Sequence, residues 1–181
     1  MQENITQEQW AMIHKRLKSI MVHNRNTKEP LFYLFLDFDG VINLFYLEGT
    51  PEYDRMLKNK EFDFADRVCV KRLERICKDY PIKVILSSSW RYSGIEYCQQ
   101  YLEKAGLDPA VKLHDTTAID WKTRPEHIVD YLFEHQDFTG FIIFDDIYMK
   151  DLIDYEIVTD FLQGWSEEKD KKARELLDSF Y

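Results

Sequence analysis

The runs LFYLFL (31–36), IKVIL (82–86) and FIIF (141–144) are apolar at nearly every position. A strand with one wet face alternates apolar and polar residues, so runs without alternation belong to a sheet covered on both faces. Amphipathic helical patterns separate the runs, and strands alternating with helices imply a parallel α/β sheet with helices on both faces, in three layers.

The helical patterns carry their own punctuation. Trp10, Ile13, Leu17, Ile20 and Met21 recur at helical intervals over 5–23, behind a Thr6/Gln9 capping-box spacing. Lys15, Arg16 and Lys18 fall on the solvated face of that helix. A second helix is expected over 65–79, with Val68, Leu73, Ile76 and Cys77 inward, and Pro81 ends it. Ser93 and Glu96 are spaced as a capping box for a helix running to Ala105, with Gly106 as its stop. Thr123 and Glu126 repeat the device, with Pro125 in the first turn, for a helix to His135. EIVT (156–159) reads as a shorter strand, and Ser166 opens a last helix toward Phe180. Residues 44–64 read as irregular. The length suits one domain over 1–181, with a core at 31–163 and terminal helices at 5–23 and 166–180 as additions.

In a parallel sheet, ligands bind at the carboxyl ends of the strands. Those ends hold the chain's least ordinary residues. The first strand runs into Asp37-Phe38-Asp39-Gly40, the second into Ser87-Ser88-Ser89-Trp90-Arg91, and the third into Asp145-Asp146, with Asp151 five residues on. One such carboxylate would pass as a turn former. Clustered carboxylates repel one another unless a cation or proton intervenes, and hard oxygen donors favour Mg²⁺. The expected product is a Mg²⁺ site at the edge of the sheet.

These stretches resemble the motifs of the haloacid dehalogenase (HAD) superfamily. LFLDFDGVIN is similar to its first motif, DxDx[V/T]; VILSSSWR to its second, an apolar strand ending in Ser or Thr; and FIIFDD to its fourth, an apolar strand ending in paired Asp. Order and spacing agree, over about residues 31–163. SSSWR and the later IVTDFLQGW further resemble the HAD domain of Swiss Army Knife RNA repair proteins. The resemblance implies a Rossmann-like, HAD-like fold and a phosphoric monoester hydrolase. Asp37 would be the nucleophile, forming an aspartyl phosphate. Asp39 would protonate the leaving oxygen and then activate water. Their spacing of two puts both side chains on one side of an extended segment, and Gly40 permits the bend the motif needs.

Ser88 matches the phosphate-binding hydroxyl best by its offset from Trp90, with Ser87 and Ser89 as competitors. Trp90 reads as core or pocket wall, and Arg91 as a substrate contact or a surface salt bridge. The family's third motif is a basic residue. Lys122 and Arg124 both flank the capping Thr123, and Arg124 is favoured. Asp146 aligns with the direct Mg²⁺ ligand, Asp145 with a supporting one, and Asp37 and Asp39 complete the metal set. Asp151 matches longer variants of the fourth motif. His114 and His127 show no ligand spacing and read as surface or packing residues.

Neither 41–64 nor 107–122 is long enough for a folded cap domain, so the site is expected to be essentially capless, and an open site suits a phosphate on a larger substrate. Phe45, Tyr46 and Tyr53 are the aromatic candidates on the segment after the first motif. The expected substrate is a phosphorylated molecule, with a nucleic-acid end foremost. The alternatives are a nucleotide or other small phosphomonoester, and a non-catalytic HAD-like binding module. The net charge of −9 opposes extended contact with a phosphate backbone, whose affinity comes largely from Lys and Arg. Cys69, Cys77 and Cys98 lack CxxC spacing and read as reduced thiols. With no run long enough to span a membrane and no leader pattern at MQENITQEQW, a cytoplasmic location and no membrane partner are expected. No stable protein partner is expected either.

Overall fold

The computed structural model describes residues 5–59 and 65–181. Five strands, β1 (Phe32–Leu36), β2 (Ile82–Leu86), β3 (Leu113–Thr116), β4 (Gly140–Asp145) and β5 (Glu156–Val158), form one sheet in the order β3-β2-β1-β4-β5. Every pairing is parallel. β1 lies at the centre with all five residues buried, as its unbroken apolar run requires.

The helices are α1 (Gln7–Thr27), α2 (Pro51–Asn59), α3 (Arg67–Asp79), α4 (Ile95–Lys104), α5 (Arg124–Glu134) and α6 (Glu167–Asp178). The Thr6/Gln9 capping box forms, with Thr6 Oγ1 accepting from the Gln9 amide at 3.2 Å and Gln9 Oε1 from the Thr6 amide at 2.7 Å. α1 runs one turn past the expected end at 23. Asn24, buried on that turn, donates to the carbonyls of Gln136 and Phe138 and ties α1 to the approach to β4.

Two expectations need correction, and one strand goes unforeseen. Residues 51–59 are helical, not irregular: Pro51 opens α2, and Glu52 and Asp54 in its first turn complement the helix dipole. Residues 60–64 of that irregular stretch lie outside the described residues. Ser93 does not cap α4. It ends a short 3-10 turn, Ser89–Ser93, and Gly94, at φ 90°, is the cap. β3 is a strand that the sequence pattern does not announce, because LHDT at the sheet's edge carries no apolar run.

The register carries the fold into the site. Leu36 pairs with Leu86 on one side and Phe144 on the other. One residue further, the Ser87 amide donates to Leu36 and the Asp37 amide to Phe144, so Ser87, Asp37 and Asp145 stand side by side. Thr117 extends the row beyond Ser87 through its amide bond to Leu86. The stretch after β5 closes against the loop after β1: the Trp165 amide donates to Val41, and the buried Trp165 ring stacks on Phe144 at 3.6 Å.

Glu156, at the start of β5, is a buried carboxylate. Among the described residues no cation bonds to it: Oε2 accepts from the Met149 amide at 2.9 Å, Oε1 has no partner, and burial pushes its pKa up to about 7. A carboxyl raised in this way contributes stability that is full below its ordinary value of 4.5 and is lost as pH rises through about 7. Glu156→Gln keeps an acceptor for Met149 without the charge. It is expected to exceed the parent in stability at pH 8 by at most about 3 kcal/mol, because each tenfold change in proton affinity is worth about 1.4 kcal/mol. The gain at pH 5 should be much smaller. Denaturant melts at both values check this, and a gain equal at both would show that charge is not the cause.

Candidate active site

The row at the strand ends is bridged by one guanidinium. Arg124, the first residue of α5, sends Nη1 to Asp37 Oδ2 at 2.8 Å and to both Asp145 oxygens at 2.6 and 2.7 Å. The Thr123/Glu126 capping box fixes the start of α5 and so aims this side chain. Asp37 and Asp145 are buried; Asp37 Oδ1 also accepts from the Phe38 amide, and Asp145 Oδ1 from the Ile147 amide. Burial works against the Arg124 charge, but the two carboxylates prevail and raise its pKa.

Asp146 adds a third carboxylate. Asp37, Asp145 and Asp146 each offer an oxygen within 4.8 Å of the others. Burial and the neighbouring Asp37 charge push Asp145 up to about 6 and raise Asp146 as well, while Arg124 pulls the other way. Such a cluster holds excess negative charge that a hard divalent cation relieves. Gly40 is required beside it for two reasons: its φ is +73°, and a Cβ there would come within 2.8 Å of Asp146 Cβ.

Asp39 stands apart from this cluster. Its Oδ1 accepts from Asn43 Nδ2 at 2.8 Å and its Oδ2 from the Trp90 indole at 2.9 Å. Asn43 is held in turn by the Tyr101 hydroxyl at 2.7 Å, and Trp90 packs against Tyr101 and Phe38. Trp90 is therefore more than wall: it orients the second carboxylate of the first motif.

The other expected residues divide. Lys122 pairs with Asp130 at 2.5 Å on the surface, so of the two flanking cations only Arg124 reaches the carboxylates. Ser88 is buried, and its hydroxyl accepts from the Trp90 amide at 3.3 Å. The Ser87 hydroxyl, beside Asp37 in the row, is buried without a partner among the described residues, as is that of Thr117. Asp151 lies on the 3-10 turn Lys150–Tyr155 and is not among the three clustered carboxylates. Tyr46 donates to Asp66, the N-cap of α3, and Tyr53 is half-buried, so of the three aromatic candidates Phe45 is the exposed one.

Arg91 is neither a surface salt bridge nor exposed. Its guanidinium donates to the carbonyls of Ser87, Ser88 and Ala118, at 3.0, 2.8 and 3.2 Å, and faces His127 Nδ1 at 3.4 Å. His127 is itself buried, with Nε2 2.7 Å from Asp120. Arg91 thus fastens the ends of β2 and β3 to α5, one turn below Arg124. His114, by contrast, accepts from the Val84 amide within the sheet, away from the site. Nothing in the sequence announces the pairings of Trp90 with Asp39, Arg91 with Ala118 and His127, or Asn43 with Tyr101, since each joins segments distant in the chain.

The family model described as the HAD domain in Swiss Army Knife RNA repair proteins matches residues 33–169, most of the chain and every strand end described above. The chain belongs to this HAD family. No curated protein and no solved structure matches it significantly. The parallel five-stranded sheet is the HAD-like, Rossmann-like arrangement, and membership indicates a phosphatase-type hydrolase. Among the described residues, no helix is long and apolar enough to cross a membrane.

Proposed function

We propose that this HAD domain is a Mg²⁺-dependent phosphatase that removes a terminal phosphate from a polynucleotide end through an aspartyl-phosphate intermediate. The observation that carries the reading is the row Ser87–Asp37–Asp145 under Arg124, next to the separately held Asp39. An Asp37 carboxylate oxygen attacks phosphorus as the bond to the leaving oxygen breaks, and Asp39 delivers a proton to that oxygen. Asp39 then takes a proton from water, whose oxygen attacks phosphorus and releases Asp37 and inorganic phosphate. Arg124 opposes the charge of the phosphoryl oxygens and keeps Asp37 in place.

The oxygens of Asp37, Asp145 and Asp146 fit a hard divalent cation, and these residues would hold Mg²⁺. When bound, Mg²⁺ would supply positive charge against the phosphoryl oxygens. The Ser87 hydroxyl, buried without a partner among the described residues, is the first choice for the phosphate; Ser88 Oγ accepts from the Trp90 amide but keeps its O–H to donate, so Ser88 stays its competitor. The family's description as RNA repair proteins supports a polynucleotide end as substrate.

The test is phosphate release from 5′- and 3′-phosphorylated RNA oligonucleotides, mononucleotides and phosphopeptides, with Mg²⁺ and with EDTA. Release from RNA ends is expected only with Mg²⁺. Ser87→Ala is expected to lower kcat about 10²-fold, as for loss of one donor to a charged transition state, and Ser88→Ala to lower it less. Mg²⁺-independent release, or none from any substrate, would overturn the reading.

A further inference from the structure

All five strands are parallel, so all five exit loops lie at one edge of the sheet, the edge that carries Asp37 and Arg124. Each of those loops displays a large exposed ring: Phe45 after β1, Tyr92 after β2, Trp121 after β3, Tyr148 after β4 and Phe161 after β5. Trp121 is 72% exposed, more than any other large apolar side chain described. Among the described residues, the segments entering the strands show one exposed large apolar side chain, the aliphatic Ile153. Five of the seven exposed Phe, Tyr and Trp rings among the described residues thus stand where the substrate must enter; the other two are Tyr97 on α4 and Tyr181, beside Phe32 at the start of β1.

Some of these loops are tied together: the Phe45 amide donates to the Phe161 carbonyl at 2.7 Å, and Arg91, over which its neighbour Tyr92 lies at 5.3 Å, donates to the Ala118 carbonyl after β3. Among the described residues, Arg124 is the cation bonded to the carboxylates, and Lys122 is paired with Asp130. With 24 basic against 33 acidic residues, the chain offers little general attraction to a polyanionic backbone. A ligand that brings one phosphate to Asp37 must draw the rest of its affinity from another source.

We propose that this ring-bearing edge binds the unpaired bases of a single-stranded polynucleotide end by stacking, and that backbone phosphates beyond the terminal one contribute little. This deepens the phosphatase reading and rests on it for the terminal phosphate. Every base has a π face, so stacking on aromatic side chains holds a strand without selecting its sequence. A second copy of the chain fits less well, because a protein face laid on this edge would cover the charged carboxylate cluster.

The test is binding of a distally fluorescein-labelled, terminally phosphorylated RNA tetranucleotide to the Asp37→Asn protein with Mg²⁺, read by anisotropy. An abasic strand with the same phosphates and a phosphopeptide serve as comparisons. The RNA is expected to bind about 5- to 100-fold more tightly than the abasic strand, with a log–log salt slope no steeper than about −1. Trp121→Ala or Tyr148→Ala, added to Asp37→Asn, should lose affinity within the same range, and Trp121→Phe should recover most of it. Equal binding of the abasic strand, a steep salt slope, tighter binding of the phosphopeptide, or Trp121→Phe as weak as Trp121→Ala would each overturn the proposal. Because binding is read without turnover, failure of stacking is distinguishable from failure of the phosphatase reading, which would show as absent phosphate release from the unsubstituted protein.

Discussion

Asp37→Asn is expected to lower phosphatase turnover about 10⁴-fold or more while the protein still folds. The amide is close to the carboxylate in size, so the packing at the end of β1 persists, and its oxygen still accepts from the Phe38 amide. What disappears is the nucleophile, since a neutral amide oxygen does not form the acyl phosphate. The substitution also removes one negative charge from beside Asp145 and Asp146, whose pKa values Asp37 helps to raise. That relief is set against the lost bond from Arg124 to Asp37 Oδ2, so without Mg²⁺ the variant should melt close to the parent. Turnover assays with Mg²⁺, paired with thermal melts in EDTA, check both halves. Retained turnover would remove Asp37 from the chemistry, and a large drop in melting temperature would show that its charge holds the fold.

How far the sequence can be read follows from where each signal lies. β1, β2 and β4 are legible because burial on both faces forces a nearly continuous apolar run, and the acids or serines at their ends stand out against it. Capping boxes at Thr6 and Thr123 are legible because both partners lie within one turn. β3 is illegible because an edge strand with exposed His114 and Asp115 has no apolar period, and α2 because its polar composition gives helix and loop the same appearance. At the site, Asp37 and Arg124 can be nominated singly, but their meeting across 87 positions is a product of register and of where α5 begins. Lys122 and Arg124 are hard to tell apart in the chain. They separate because the first turn of α5 points one toward Asp145 and leaves the other with Asp130. The same limit applies to Ser87 and Ser88, which differ in what the following 3-10 turn does with each hydroxyl.

Arg124→Ala is expected to have the largest effect on stability, a loss of about 3–5 kcal/mol near pH 8 in EDTA, because it leaves buried carboxylates without their bonded cation. The pH dependence has a definite sign. Asp145 already sits at about 6, above its ordinary 3.8, so its contribution to stability is full below 3.8 and is lost as pH rises through about 6. Removing Arg124 removes the influence that lowers this value, so the variant's loss extends to higher pH, and its deficit against the parent should shrink between pH 8 and pH 5. Mg²⁺ should stabilise the variant more than the parent, since the cation then meets uncompensated charge. Arg124→Lys should fall between the two: Nη1 alone makes every bond to Asp37 and Asp145, so an ammonium keeps the charge, but its side chain is one atom shorter and its charge is more strongly hydrated. Turnover should drop about 10²- to 10³-fold in the alanine variant even where Mg²⁺ restores its stability, because the charge facing the phosphoryl oxygens is gone. Denaturant melts at pH 5 and 8, in EDTA and in Mg²⁺, separate these contributions. A variant as stable as the parent at pH 8 in EDTA would mean that the carboxylates take up protons instead of needing Arg124, and the guanidinium would then serve the phosphate alone.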